Sequence, residues 1–184
     1  MGVFSQPLFT VNRLEFRAPV DGASRCHKRL GLGTKVGGFM PYVSLNYKNN
    51  LAAPVGKWTC APTSNLQPFG EVPSNDKTKG PNLCGQCVSY VKKVCPSLPS
   101  TTHWRKGAQV KDNQSIAPGT AIATFNASGH YEGHAAIYVS QDAAGIKVYD
   151  QYVTPPSPKA VGPRVLRWGA HGNSNNGSNF YVIE

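Results

Sequence analysis

The stretch Leu83-Cys84-Gly85-Gln86-Cys87-Val88-Ser89-Tyr90-Val91-Lys92-Lys93-Val94-Cys95-Pro96 follows a helical pattern. Its valines and cysteines recur at helical spacing, and its two lysines lie near the carboxyl end, where positive charge suits the helix dipole. Pro96 ends the helix, and the glycine-proline break before Asn82 supplies its start. The pattern therefore predicts a helix with Cys87 in its first turn.

The carboxyl-terminal part of the chain is predicted to form β-strands. Its apolar segments are rich in β-branched or aromatic residues and are separated by turn formers. These segments are residues 120–125, 134–140, 146–152, 164–168 and 180–184. One helix followed by an antiparallel meander predicts an α+β fold, in which the helix packs on the sheet.

The first 70 residues show no sustained helical period. Short apolar stretches alternate there with Gly, Pro and Asn, which predicts short strands and loops. The length of 184 residues suits one compact domain plus an extension. We therefore expect an irregular, disulfide-stapled extension over residues 1–70 and a catalytic domain over residues 71–184.

Cys87 is the candidate nucleophile. A thiol reacts as its thiolate, and a helix N-terminus lowers the cysteine pKa from its usual value of about 8.5. Gln86 or the Cys87 backbone N–H could then donate to a developing oxyanion.

His134 is the candidate base. Residues 134–152 are predicted to form a hairpin whose turn centres near residues 142 and 143. Partners across an antiparallel hairpin of this register have numbers that sum to about 285, so His134 faces either Asp150 or Gln151. A carboxylate orients an imidazole well, which favours Asp150; Gln151 remains the alternative.

The cysteine count supports this assignment. Without Cys87, the four other cysteines are candidates for two disulfides. Cys84 and Cys95 would lie roughly 16 Å apart along a continuous helix, so each should instead bond to Cys26 or Cys60. A zinc or redox site at Cys84-x-x-Cys87 is a weaker alternative, because neither a second ligand pair nor a βαβ context accompanies it. No metal or cofactor is expected.

The composition limits the partners. A net charge of +10 favours anionic partners, but no zinc-finger spacing, basic helix or RNA-binding signature points to nucleic acid. No apolar run reaches the roughly 20 residues that span a bilayer, so no membrane role is expected. Three glycosylation sequons and five cysteines favour secretion, although the chain shows no recognisable leader.

The motifs Gly85-Gln86-Cys87, Gly133-His134-Ala135-Ala136-Ile137 and Val148-Tyr149-Asp150-Gln151-Tyr152 resemble those of the CHAP and NlpC-type papain-like amidases. The resemblance spans about residues 80–184. Within this superfamily, residues 119–125 followed by the histidine strand are similar to a small branch of uncharacterised or effector-type secreted amidases. It implies a papain-like fold and cleavage of peptide or amide bonds in bacterial peptidoglycan. Cys87 would be the nucleophile, His134 the base and Asp150 the orienting residue. A monomer with an inhibitor or immunity protein as partner is expected.

Aromatic residues near these motifs are predicted to line the substrate groove. They are Tyr90, Trp104, Tyr131 and Tyr152. Two alternatives stay open. One is an acyltransferase or deamidase that acts on proteins with the same three groups; the other is a non-enzymatic cationic antimicrobial or binding protein in which all five cysteines are structural.

Overall fold

The computed structural model describes residues 26–28, 40–154 and 157–184. Most of the predicted extension, residues 1–25 and 29–39, therefore lies outside the described residues. The described part contains a six-stranded antiparallel sheet, one α-helix and two small two-stranded sheets. None of its helices is both long and apolar enough to cross a membrane.

The six-stranded sheet forms the centre of the protein. Its strands are β5 (Lys106–Gln109), β6 (Ala121–Phe125), β7 (Tyr131–Asp142), β8 (Gly145–Tyr152), β9 (Lys159–Arg167) and β10 (Phe180–Ile183). They lie in the order β5-β10-β6-β7-β8-β9. The last strand thus returns to pair with β6, and only β6 to β9 form the expected meander.

The mixed α and β character and the antiparallel sheet are confirmed. Each of the five predicted strands is present with shifted ends, and β7 is the longest, at 12 residues. Strand β5 was not predicted, because the short, largely exposed segment Lys106-Gly107-Ala108-Gln109 has neither alternation nor β-branched residues.

Helix α1 (Cys87–Val94) is shorter than its sequence pattern suggests. It begins at Cys87, with Gln86 as the extended N-cap residue. Cys84 therefore lies before the helix, where it forms β-bridges to Cys60 and Ser74, and the expectation that it belongs to a continuous helix is wrong.

One face of α1 packs against the central sheet. Tyr90, Val91 and Val94 are completely buried in the same cluster as sheet residues such as Ala135 and Ile137. Small alanine side chains leave room for the helix to approach the strands closely. Burial of each large helix side chain contributes roughly 1.5–3 kcal/mol, which fixes the helix over β7 and β8.

Short strands before the helix form the two small sheets. Strand β1 (Cys26–Lys28) pairs with β2 (Tyr42–Ser44), and β3 (Trp58–Thr59) pairs with β4 (Phe69–Gly70). Disulfides Cys26–Cys95 and Cys60–Cys84 tie these sheets to the two ends of the helix region. Cys84 and Cys95 are thus each bonded to an earlier cysteine rather than to each other.

Candidate active site

Cys87 is the first residue of α1 and the free cysteine of the chain. Its sulfur lies 3.5 Å from the hydroxyl of Tyr131 on β7, and the Ala135 backbone N–H also donates to it. Cys84 is bonded to Cys60, so it cannot form a thiolate pair with Cys87 for zinc or redox chemistry.

His134 and Asp150 meet across strands β7 and β8. Imidazole Nε2 lies 2.8 Å from Asp150 Oδ2, and both side chains are buried. Strand pairing sets Ile137 opposite Tyr149, one residue from the predicted register. His134 and Asp150 are therefore diagonal neighbours on one face of the sheet. The imidazole therefore contacts Asp150, whereas the Gln151 side chain bonds to Thr59 and Gln86 and does not orient the imidazole.

The backbone beside His134 is held by its neighbour strand. The His134 N–H donates to Thr124 Oγ1 at 2.9 Å. Gly133 has a φ of +104°, and a Cβ there would lie 2.6 Å from the same Thr124 oxygen. A glycine is required at this position, because a side chain would displace the strand that carries the histidine.

The Cys87 thiol and the His134 imidazole face each other, and each favours the charged form of the other. Burial alone would raise the pKa of Cys87, but the hydrogen bond and charge of His134 outweigh it and lower this pKa from 9.0 to about 7. Burial alone would lower the pKa of His134, but hydrogen bonds to Asp150 and Cys87 raise it from 6.5 to about 9. Between these values the site holds a thiolate and an imidazolium.

Tyr131 is a hydrogen-bond donor to this thiolate. Burial, together with the Cys87 charge, raises the pKa of Tyr131 well above its ordinary value. The phenol therefore stays protonated at neutral pH and can donate to the sulfur. The sequence predicted that this residue lines the substrate groove, whereas the structure places its hydroxyl beside the Cys87 sulfur.

Arg164 on β9 completes the buried charge cluster. Its Nη2 lies 2.6 Å from Asp150 Oδ2, the same oxygen that contacts His134, and Nη1 donates to Asn175 Oδ1 at 3.2 Å. Sequence reasoning missed this residue. The available signal was weak: Arg164 lies in the predicted strand that follows the strand of Asp150, and opposite charges on neighbouring strands can pair.

A hydrogen bond links Gln151 to Gln86, the residue before Cys87. Gln151 is fully buried, and its Nε2 donates to the Gln86 backbone carbonyl at 2.8 Å. The Gln86 side chain lines the cleft and donates to Asn75 Oδ1 at 3.3 Å.

Of the four predicted groove aromatics, Tyr90, Trp104 and Tyr131 do not line the cleft. Tyr90 is fully buried, with its hydroxyl donating to Tyr47 O at 3.2 Å. Trp104 is buried, with its indole N–H donating to Pro99 O at 3.1 Å. These contacts hold both rings in the hydrophobic core. The prediction that they contact substrate is corrected, whereas Tyr152 does line the cleft.

The cleft above Cys87 and His134 has a volume of about 460 Å³. Cys87 and His134 share this cleft with hydroxyl, amide and guanidinium side chains. These further lining residues include Tyr152, Thr154, Ser157, Arg164, Asn173, Ser174 and Asn175. Such side chains suit the hydrogen-bonding groups of a polar ligand.

Comparison with known proteins matches this chain to proteins described as amidase effector 2. The family model for Domesticated amidase effector 2 matches residues 63–183. A protein of that name from Ixodes scapularis is 46% identical over 104 residues, covering 54% of this chain and 70% of its own length. A Type VI secretion amidase effector 2 protein from Salmonella typhi is 32% identical over 114 residues, covering 54% of this chain and 84% of its own.

A solved structure of a Type 6 secretion amidase effector 2 is also similar. It is 32% identical in sequence, with a TM-score of 0.47, and the match covers 54% of this chain and 80% of that one.

Proposed function

Because the chain belongs to the Domesticated amidase effector 2 family, we propose that it is a secreted cysteine amidase that cleaves amide bonds in bacterial peptidoglycan. The observation that carries the proposal is the free Cys87 thiol, which shares a cleft with a His134 that is paired with Asp150. A free thiol in this setting argues against a non-enzymatic protein whose five cysteines are all structural.

The proposed reaction starts from the thiolate and imidazolium. Cys87 attacks the amide carbonyl carbon, and the carbonyl π electrons move to oxygen. As the C–N bond breaks, the electron pair goes to nitrogen, which takes the imidazolium proton and leaves as an amine. A thioester to Cys87 remains. Neutral His134 then removes a proton from water, the hydroxide attacks the thioester, and the carboxylic acid leaves as the thiolate returns.

The oxyanion has two donors within reach of the nucleophile. The Cys87 backbone N–H lies in the first turn of α1, where N–H groups lack helical acceptors. The Gln86 side-chain amide lies at the same edge of the cleft. Preorganised donors of this kind contribute roughly 2.7–4 kcal/mol each to transition-state stabilisation.

Asp150 and Arg164 orient and stabilise His134 through a chain of contacts. The Asp150 carboxylate holds His134 Nε2, which leaves Nδ1 to serve the thiol. Arg164 supplies the cation that compensates a buried carboxylate. We include Arg164 in the proposed site as a positioning residue, because its contact is with Asp150 rather than with the reacting atoms.

The finer features of this assignment are part of the same proposal. They are a papain-like core over residues 71–184 with an amino-terminal extension over residues 1–70, and an inhibitor or immunity protein as a partner. The net charge of +10 supports attraction to an anionic cell wall, and this attraction should weaken as salt is added.

The test is a digest of purified muropeptides followed by mass spectrometry. Wild type should release fragments with a new amine and a new carboxylate, and Cys87→Ala and His134→Ala should release none. His103→Ala is the matched control, because His103 is an exposed histidine outside the cleft and should leave the digest unchanged. Identical digests by wild type and Cys87→Ala would overturn the assignment, and acyl transfer to an added amine without hydrolysis would indicate a transferase.

A further inference from the structure

The most densely bonded buried side chain near the proposed nucleophile is that of Gln151. It follows Asp150 in strand β8 and is completely buried. The pairing of β8 with β9 shifts register between Asp150 and Tyr152, which is where Gln151 lies. Such irregularities re-aim a side chain. Gln151 contacts Thr59 and Gln86, whereas Asp150 contacts His134.

The Gln151 amide is bonded like a peptide group in a strand. Its Oε1 accepts from the Thr59 N–H at 2.8 Å, and its Nε2 donates to the Thr59 carbonyl at 2.9 Å. The second N–H of Nε2 donates to the Gln86 carbonyl at 2.8 Å. Both donors and the acceptor are thus satisfied, and only one orientation of the amide achieves this.

The bonded groups are those that precede Cys87. The Gln86 carbonyl also accepts from Tyr90 N at 3.4 Å, so it begins the helix ladder. The Thr59 carbonyl also accepts from Gly85 N at 3.0 Å. Gly85 has a φ of +106°, and a Cβ there would lie 2.4 Å from Val153 and 3.0 Å from Trp58. The chain before the nucleophile is therefore held closely on both sides.

We propose that Gln151 is a positioning residue that joins strand β3 and the first helical carbonyl to the strand of Asp150, and thereby sets where Cys87 lies relative to His134. Thr59 precedes the part of the chain that the family model matches, which begins at residue 63. A strand outside the matched region thus helps to define the site. The activity readout rests on the proposed amidase function; the thiol readout does not.

The main test replaces Gln151 by methionine, which keeps similar length but has no amide. Gln141→Met is the matched control. Gln141 also makes three main-chain hydrogen bonds, to Asp112 N, Val110 O and Asn113 O, at the far end of β7. Both variants lose hydrogen bonds from a side-chain amide to the main chain. Only Gln151→Met loses them beside the proposed nucleophile.

Two readouts separate positioning from general stability. We expect Gln151→Met to lower kcat/KM for muropeptides roughly 10- to 100-fold, mainly through kcat. Iodoacetamide should alkylate Cys87 more slowly at pH 7, because a displaced thiol loses its contact with His134. Gln141→Met should keep kcat/KM and the alkylation rate within twofold of wild type per folded molecule. This should hold even if its urea midpoint falls as far as that of Gln151→Met.

The outcomes are distinct. Equal kcat and equal alkylation profiles for the two variants would overturn the positioning role. If wild type cleaves no muropeptide but alkylation still separates the variants, the amidase function fails and the positioning role stands. If Gln151→Met does not fold, the same two rates are measured for Gln151→Asn and compared with those of Gln141→Met. Asparagine keeps a neutral amide, but its side chain is one methylene too short to make the same bonds.

Discussion

The hairpin of β7 and β8 carries an ion pair at each end, and the two differ in environment. At the turn, Lys147 Nζ lies 2.9 Å from Asp142 Oδ2, with side chains 52% and 45% exposed. At the open end, Asp150 lies 2.8 Å from His134 Nε2 and 2.6 Å from Arg164 Nη2, and its side chain is 0% exposed. The distances are similar, but water screens only the first pair.

The two ends differ in burial and not in distance, and burial supports the open end as the proposed functional one. An exposed pair gains little, because water solvates both charges and salt screens them. A buried carboxylate loses its hydration, so it persists only with compensating partners. Groups held in this way are already oriented, which a catalytic histidine requires and a turn does not.

The sharpest test of this comparison changes an aspartate at each end. Asp150→Asn should lower kcat/KM about 10²- to 10⁴-fold, because an amide neither orients the imidazole nor stabilises its cation. Asp142→Asn should leave the rate within twofold. Initial rates on muropeptides measure both. Equal losses would contradict the distinction between the two ends.

Removing the cation at each end should have different effects on the free energy of unfolding. Arg164→Leu leaves the Asp150 carboxylate buried with His134 alone, and we expect a loss of about 3 kcal/mol in the free energy of unfolding. Lys147→Leu should not shift the urea midpoint measurably. Urea unfolding followed by tryptophan fluorescence gives both values. If Arg164→Leu unfolds at the wild-type urea concentration, Arg164 is not the stabilising partner of Asp150.

The pH dependence of activity should reflect the buried end alone. The pKa of Cys87 is lowered to about 7 and that of His134 is raised to about 9, so the thiolate and imidazolium coexist between these values. A bell-shaped profile of kcat/KM is expected, falling below about pH 7 as the thiol gains a proton and above about pH 9 as the imidazole loses one.

Asp150→Asn should narrow that profile. The hydrogen bond to Asp150 raises the pKa of His134, so its loss lowers this pKa and weakens the stabilisation of the thiolate. The alkaline limb should move to lower pH and the acid limb to higher pH. A profile of unchanged width would show that Asp150 does not set the charge of His134. Asp142→Asn, as before, serves as the control.

The smallest effect should come from a single hydroxyl on β7. Tyr131→Phe removes a donor to the Cys87 sulfur and should raise the thiol pKa slightly, lowering kcat/KM roughly threefold. Tyr138→Phe, nearer the turn of the same strand, should change nothing measurable. The pH dependence of iodoacetamide alkylation detects the first shift. A thiol pKa identical to wild type in Tyr131→Phe would remove Tyr131 from the site.

Local patterns were enough to predict a helix with Cys87 in its first turn, and to limit the partner of His134 to Asp150 or Gln151, with Asp150 favoured. Each depends on neighbouring residues or on one hairpin turn. Arg164 was missed because its contact with Asp150 depends on how strand β9 pairs with β8, and that pairing shifts register between Asp150 and Tyr152. Such registers require the whole sheet.

The predictions that Tyr90 and Trp104 line the groove were wrong for a different reason. Tyr90 lies three residues after Cys87, and the helix turns it onto the face that packs against the sheet. Residue type indicates that an aromatic ring will be partly buried, but not whether its neighbours are core or cleft. Gln151 was named as an orienting residue because of its sequence position, whereas strand irregularity aims it at Thr59 and Gln86.

The Cys60–Cys84 bond creates a choice during oxidative folding. Cys87 lies three residues beyond Cys84, so in an unfolded chain Cys60 can bond to either at nearly equal loop-closure entropy. A Cys60–Cys87 bond would consume the proposed nucleophile and leave Cys84 unpaired, because five cysteines can form only two disulfides. The native structure favours the productive isomer, because a β-bridge places Cys60 beside Cys84. A newly oxidised preparation will therefore contain an inert isomer, with Cys84 as its free thiol, to the extent that disulfides close before that bridge forms.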